Sequence, residues 1–428
     1  MKKKTVILFT GSFPYTEAKE SVFIIPELPI LSEKFEKVII VPLSAKESLI
    51  SLDVYKNVQI DIDLFHHYFQ ANLFKKILLV LTSLFSVEFV RAIFCDKTIF
   101  SFRKNRLILS EYYRACCVNK WLQYFFKSVG KDDEYILYTY WFNYATLGIA
   151  LFEHPSVKAR VTRCHRFDLY DSRVYFRSTY FRKLTLKKIT NVYSVSMEGK
   201  KYLQNKFSEY CDKIDCIYLG IIEPIRRNII HHNEANSLCV FSCSYMVLVK
   251  RNTLLAYYII ALADKFPNCM ISWTHAGGGT LLEDVKKIVK DNVRNNLSVV
   301  FLGDVDNSEI MEYYSNSSVD VFVSLTESEG LPVSMMEAQS YGIPIVSTNV
   351  GGISEIVIDS KTGFLLNADP TLEEFIDKMI FFMKHDSNEQ KMRNDSYQNW
   401  LDNFDAKTNH LKFVEQISNC TFNLIANK

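Results

Sequence analysis

Residues 319–357 read VDVFVSLTESEGLPVSMMEAQSYGIPIVSTNVGGISEIV, and their pattern decides the fold. The opening VDVFVS is mostly apolar and β-branched, short enough for a buried strand of a parallel sheet. A polar break from Leu325 to Gly330 follows. Pro332 then suits the first position of a helix, where a missing N–H costs nothing. That helix is predicted to run to Tyr341 and to stop at Gly342. Ile345–Thr348 is a second buried strand, and the Gly351-Gly352 turn comes after it. Strand, helix and strand make a βαβ unit, and in open α/β sheets ligands bind at the carboxyl ends of the strands.

Two carboxylates frame this unit, with seven residues between them. Glu337 shares a helical face with Val333, between Met336 and Ala338. A carboxylate there is costly unless something donates hydrogen bonds to it, and the vicinal diol of a ribose offers two donors. Glu329 stands about two turns earlier, where Gly330, Leu331 and Pro332 open the helix and backbone N–H groups are free for phosphate or sugar oxygens. The plainer alternative is that Glu329 assists the cap and Glu337 pairs with a neighbouring lysine.

Taken together, E-G-L-P-V-S-M-M-E-A, Y-G-I-P-I-V-S-T and G-G-I-S-E closely resemble the E-x7-E region of retaining glycosyltransferases of family 4, which have the GT-B fold. The resemblance implies that Glu329 contacts the donor sugar and Glu337 the ribose of the nucleotide. It also implies that Lys250, in V-L-V-K-R-N-T-L-L, contacts the donor diphosphate. Family members usually carry an arginine five residues earlier, where this chain has Tyr245; Arg251 is the candidate to compensate. In F-L-G-D-V-D the loop backbone would meet the base, which makes Val305 a donor-site candidate. His165, in C-H-R-F-D-L-Y-D, falls where the family places a histidine close to the reacting sugar, although Arg166 follows it where many members have Gly or Asp. Read by itself, a histidine at a strand end is often only hydrogen-bonded, here to Asp168.

The amino-terminal half has its own signals. Thr5–Phe9 is an apolar strand ending in Gly11-Ser12-Phe13-Pro14, a place where a Rossmann-like domain brings backbone close to phosphate, so Gly11 is a substrate-binding candidate. The absence of G-x-G-x-x-G argues against a dinucleotide oxidoreductase. Ser21–Ser32 reads as a helix that Pro26 and Pro29 break or kink. Further strands are predicted at Val38–Pro42, Tyr135–Trp141, Ala159–Arg163 and Tyr193–Ser196, with Ile217–Leu219 the last of the first domain. Leu73–Val90 is either a core helix or an interfacial helix lying on a bilayer, and periodicity alone favours the core.

In the second half, strands are expected at Leu238–Ser242, Met270–Thr274 and Val299–Gly303. The turn H-A-G-G-G-T resembles a phosphate cradle, but a simple turn is the better reading. Asp304-Val305-Asp306 imitates the metal signature of the GT-A fold yet lies too late in the chain for it. Thr362–Leu365 is read as a short hairpin-like turn, and helices as Leu372–Lys384 and roughly 405–426.

Composition narrows the classes. A chain of 428 residues has room for two or three domains with full cores, and 48% hydrophobic with 23% charged residues is ordinary for a globular protein. Residues 1–225 hold 33 Lys and Arg against 23 Asp and Glu, a net of +10, while the remainder is at −8. Such a split suggests a basic half facing an anionic partner. No zinc-finger spacing or RNA-recognition signature accompanies it, so nucleic acid is not expected and a phosphorylated lipid or anionic membrane face is. The alternative is that these charges line an acceptor groove. Ten cysteines lack C-x-x-C or metal-ligand spacing and read as reduced. The apolar run in MKKKTVILFT is too short for a signal peptide and no stretch reaches 18 apolar residues, so a cytoplasmic site is expected, with peripheral contact on the inner face of the membrane.

The resulting expectation is α/β, GT-B: two Rossmann-like domains facing a cleft, 1–222 and 223–404, with Ile221–Ser237 as linker and a last helix, 405–428, crossing back to the first domain. The expected activity moves a sugar from a nucleotide-sugar donor to a lipid-linked or oligosaccharide acceptor, with retention and with no metal or other cofactor. Two rival readings are a GT-B sugar phosphorylase or nucleotide-sugar epimerase, and a catalytically weak glycan-binding homologue, the latter motivated by Tyr245.

Overall fold

The computed structural model describes residues 4–420, apart from 17, 19, 46–47, 71, 131–132 and 225–235. Most of the expected linker and the end of the expected last helix thus lie outside the described residues. The chain divides into two compact units, Met1–Tyr218 with Lys407–Lys428, and Leu219–Ala406. Each is built on one parallel sheet, the GT-B arrangement of two Rossmann-like domains.

The first sheet has seven strands, in spatial order Val58–Ile60, Lys37–Pro42, Lys4–Thr10, Glu134–Thr139, Val157–Cys164, Asn191–Ser194 and Ile214–Cys216. Alternation explains why its central strands are apolar throughout. Val6 and Leu8 enter one core layer and Ile7 and Phe9 the other, so both faces are covered. The helix Ala406–Asn419 closes one layer with Phe413, Val414 and Ile417. A buried charge cluster ties it there. Glu27 Oε2 lies 2.9 Å from Arg163 Nη2 and 3.2 Å from His410 Nδ1, and the Arg163 guanidinium stacks 3.7 Å over the Phe413 ring. Burial pushes the Glu27 carboxyl up, but Arg163, His410 and Tyr138 outweigh it and hold it below its ordinary range.

The second sheet has six strands, in order Leu297–Gly303, Met270–Ala276, Ser237–Cys243, Val321–Ser324, Ile345–Thr348 and Gly363–Leu366. The first sheet therefore runs 3-2-1-4-5-6-7 and the second 3-2-1-4-5-6 in local order, and both reverse direction between their first and fourth strands.

Several expectations are corrected. Thr362–Leu365 is not a hairpin-like turn: Gly363–Leu366 pairs in parallel with Ile345–Thr348 as an edge strand. Gly363 has φ 149°, and a Cβ on it would stand 1.9 Å from the Ile345 carbonyl, so only glycine admits that pairing. Ile217–Leu219 is buried loop; the last strand is Ile214–Cys216, and the apolar side chains of Ile217 and Leu219 serve the core rather than the ladder. The two prolines do break the Ser21–Ser32 segment, into Ser21–Ile24 and Leu28–Lys34. Ser387–Asn403, too polar to show an apolar stripe, is a helix pinned by Arg393 to Asp320 at 3.2 Å and Glu389 at 3.1 Å.

The largest correction concerns Leu73–Val90. It is not one helix, and only one side of it is core: Phe89 is buried and Leu79 and Leu84 pack against core layers, while the opposite side is exposed. Leu73–Leu84 ends at Phe85, and the Ser86 Oγ accepts from the Phe89 N–H at 3.1 Å to cap a second helix, Val87–Cys95, bent 56° from the first. Phe74, Ile77, Leu78 and Leu81, at i, i+3, i+4 and i+7, form one face and are exposed. Their spacing gave a correct helix but could not say which way its apolar face points.

Candidate active site

In the second unit, Ser237–Cys243 and Val321–Ser324 are the neighbouring strands at which the sheet order reverses. Crevices open outside such a pair, because the chain leaves the two strands toward opposite sides. The loop after the first carries Lys250, and the loop after the second carries Glu329. Main-chain clamps hold the loops together: the Glu327 N–H donates to the Val249 carbonyl at 2.8 Å and the Thr326 Oγ1 to the same oxygen at 3.0 Å. The Lys250 ammonium consequently meets the Glu329 carboxylate in an ion pair that is largely buried, at 19% and 13% side-chain exposure.

Arg251 turns elsewhere. It sits in the left-handed region at φ 51°, unusual for a residue with a Cβ, and it leads into the helix Asn252–Lys265. Its guanidinium donates to Glu327 Oε1 at 2.9 Å and to the Ala368 carbonyl at 2.8 Å. The two adjacent cations thus serve different partners, and Tyr245 is an exposed residue upstream of them.

The helix after Glu329 is Val333–Ser340, with Pro332 at its N-cap, no side-chain cap, and Gly342 at φ 72° beyond its end. Pro332 and Gly330 are buried and Leu331 is half-buried. The Gly330 carbonyl accepts from the Gly352 N–H at 2.9 Å. A Cβ on Gly352 would stand 2.4 Å from that oxygen, which explains the glycine there. Within the helix, Glu337 is 4% exposed and accepts from Asn307 Nδ2 at 2.6 Å. Burial pushes its carboxyl up to about 7, against the Asn307 hydrogen bond.

Asn307 opens the helix Asn307–Asn316, directly after the loop that contains half-buried Val305. The aspartates of that loop are structural. Asp304 Oδ1 accepts from the Gly278 N–H at 2.9 Å, and Glu309 reaches back to the Asp306 N–H at 3.1 Å. Gly277 and Gly279 have φ 126° and 142° and press against the Ser244 and Met246 carbonyls. The triple glycine is a turn closed by Asp304.

In the first unit, His165 follows the strand Val157–Cys164 and is buried. Its backbone N–H donates to Asp168 Oδ1 at 2.6 Å, one half of a capping box between the two residues. The ring Nε2 lies 3.1 Å from the Tyr140 carbonyl, which only accepts, so Nε2 carries the proton. Burial, reinforced by Arg163, pushes the imidazole down to about 3, and it is neutral at physiological pH. Gly11 follows the strand Lys4–Thr10. The N–H groups of Gly11, Ser12 and Phe13 all donate to the Glu20 carboxylate, at 3.1, 2.5 and 2.7 Å, and Trp141 Nε1 bonds it too. The amides expected to approach a phosphate are therefore held by an internal carboxylate.

Residues 270–399 match the family Glycosyl transferases group 1. This group 1 domain contains Glu329, Glu337, Val305 and the loop Gly330–Pro332; Lys250 and Arg251 lie before it. Curated relatives match over short stretches. The sulfoquinovosyl transferase SQD2 of Arabidopsis thaliana is 34% identical over 110 residues, 25% of this chain and 20% of the relative. The O-antigen biosynthesis glycosyltransferase WbnH of Escherichia coli is 36% identical over 81 residues, 19% of this chain and 21% of the relative. The chain thus spans about a fifth of the length of these relatives. A solved structure of Anabaena Alr3699/HepE in complex with UDP superposes with a TM-score of 0.64 at 13% identity, covering 98% of this chain and 100% of that one. At that identity the likeness is one of fold.

Sequence reasoning missed three residues around the group 1 domain and the loops. Asn307 was findable, since D-N-S-E at 306–309 is a helix start directly after a strand. Glu327, which takes Arg251, and Glu20, which fills the Gly11 loop, carried no local signal.

Proposed function

We propose that this chain is a retaining glycosyltransferase of family 4 that moves a sugar from a nucleoside diphosphate sugar to a growing, lipid-linked surface polysaccharide. The observation that supports this most is the Lys250–Glu329 pair on the two switch-point loops, with Glu337 buried in the helix that follows. Lys250 and the uncapped N-terminus of Val333–Ser340 are the groups that meet the diphosphate charge as it builds up on the leaving group. Glu337, costly as a buried anion, accepts from the ribose hydroxyls, which supply the donors its burial lacks. Glu329 contacts the sugar.

Retention on this reading is a front-face displacement. The bond from the anomeric carbon to the diphosphate oxygen breaks, and the acceptor oxygen bonds on the same face. The acceptor proton passes to the departing phosphate. His165 serves on this reading as a hydrogen-bonding group and not as a titrating one, because its imidazole is neutral. Uridine is the first base to try, since the Anabaena neighbour is a complex with UDP.

A thermal-shift panel of UDP-, GDP-, ADP- and CMP-sugars tests the reading. One class is expected to raise the midpoint, as a ligand at ~100-fold its dissociation constant adds ~2.7 kcal/mol. If none does, the donor assignment falls. Consumption of inorganic phosphate with release of a sugar phosphate would favour the phosphorylase reading instead.

A further inference from the structure

The densest run of exposed apolar side chains among the described residues lies in one stretch of the first unit. Phe74, Ile77, Leu78, Leu81, Phe85, Val87, Val90, Phe94, Ile99, Phe100 and Phe102 are all exposed, within 29 consecutive residues. Phe100 is 99% exposed, and Phe102 and Phe85 are 84% and 83%. Large exposed apolar side chains in such number mark interaction surfaces more often than they face water. The helices beneath it are firmly seated: Phe89 and Ala92 are buried in a layer with Ile108, Tyr112 and Phe181. The outward face is thus a property of a packed element.

Charge says what covers it. Between residues 73 and 106 there are seven basic residues, Lys75, Lys76, Arg91, Lys97, Arg103, Lys104 and Arg106, against Glu88 and Asp96. Both acids are turned to the protein. Glu88 accepts from the Tyr180 hydroxyl, and Asp96 from Ser178 Oγ at 2.5 Å and the Tyr180 N–H at 3.1 Å. Lys75, Arg91, Lys97, Arg103 and Arg106 are exposed beside the apolar side chains. Lys75, Lys76 and Lys120 also line a cavity of about 470 Å³ with Leu78 and Tyr124, where Asp63 is the one acidic residue of the lining. An apolar face bordered by cations is the chemistry of an interfacial helix on anionic lipid.

We infer that the bent pair Leu73–Leu84 and Val87–Cys95, with the Phe100–Phe102 segment, is a membrane-docking surface that inserts its apolar side chains into the interface of an anionic bilayer. No single helix among the described residues is long and apolar enough to cross a membrane; the two helices reach that length only together, and the 56° bend between them and the seating of Phe89 and Ala92 against the protein favour the interface. Insertion makes attachment less salt-sensitive than charge alone would. The surface belongs to the first unit and Lys250, Glu329 and Glu337 to the second, so docking and donor binding can fail separately.

The test uses the full chain and vesicles of phosphatidylcholine with about a third phosphatidylglycerol. Co-flotation is expected at ~0.1 M salt, reduced but not abolished at ~0.5 M, with little on phosphatidylcholine alone. Replacing Phe85, Phe100 and Phe102 by serine should lower the floated fraction roughly tenfold while the thermal midpoint is kept, since all three are exposed. Phe100→Trp should shift its emission to the blue on anionic vesicles and be quenched by brominated acyl chains. The inference is overturned if the protein stays at the bottom of the gradient at low salt. It is equally overturned if the triple serine variant floats like the parent, or if Phe100→Trp is unquenched. Self-association that buries Phe100 without lipid would assign the surface to a second copy.

Discussion

The two units share one strand order and treat it in opposite ways. At the switch point of the first sheet, three loop amides converge on an anion that the chain itself supplies, the Glu20 carboxylate. At the switch point of the second, the loops bring together a lysine and a glutamate, and the next helix begins with no side chain on its N-terminus. Equal topology offers two equivalent places for a ligand, and local side chains decide which is already filled. Fold alone does not locate a site.

The comparison breaks most sharply at the core of the first unit. Glu27→Ala leaves the fully buried Arg163 without its counter-charge and is expected to cost ~3–5 kcal/mol, read by chemical denaturation. Less than 1 kcal/mol would mean that solvent reaches Arg163. Next comes Lys250→Ala, expected to lower kcat/KM by roughly ten- to a hundredfold, as loss of one charge–phosphate contact. Activity equal to wild type would remove Lys250 from the diphosphate. Glu329→Gln should reduce turnover more than nucleotide affinity, because it also releases the Lys250 ammonium.

Glu20→Gln sharpens the contrast directly. It is expected to destabilise the first unit by ~1–2 kcal/mol through weakened charge-assisted bonds while nucleotide binding is unchanged. A large loss of nucleotide affinity would return the Gly11 loop to the site. A smaller effect is proton linkage at Glu337. Its native carboxyl, at about 7, holds its proton more tightly than in the unfolded chain, so it costs stability progressively as pH rises from about 4.5 to about 7. Ribose donors favour the charged form, so nucleoside diphosphate affinity should rise with pH up to about 7 and then level. Calorimetry in buffers of different ionisation enthalpy should show proton release that Glu337→Gln abolishes. The smallest expected effect is Arg251→Ala, at ~0–1 kcal/mol in kcat/KM, since its guanidinium is spent on Glu327 and Ala368. A loss equal to that at Lys250 would show both cations acting on donor.

Much of this was legible in the chain. The strand, loop, helix and strand of 319–357 follow from apolar runs, a proline and a glycine stop, all local properties. Lys250, Glu329 and Glu337 were named from pattern, and the first two do meet. What could not be read were partners distant in sequence: Glu20 for Trp141, and Glu27 for Arg163 and His410. Nothing in a local window encodes them.

The sequence by itself determined most strands and helices, because hydrophobic period and backbone stereochemistry are set by neighbours along the chain; it failed where a segment is short or too polar to show a period, as at Gly363–Leu366 and Ser387–Asn403. Tertiary structure alone decided direction and occupancy. Periodicity shows that Phe74, Ile77, Leu78 and Leu81 share a face, but whether that face meets the core or solvent depends on the helices across from it. A glycine loop shows that backbone can approach an anion, but whether the anion is a ligand or Glu20 depends on where a distant carboxylate is delivered. Burial and hydrogen bonding are properties of three-dimensional surroundings, and those exist only once the chain has packed.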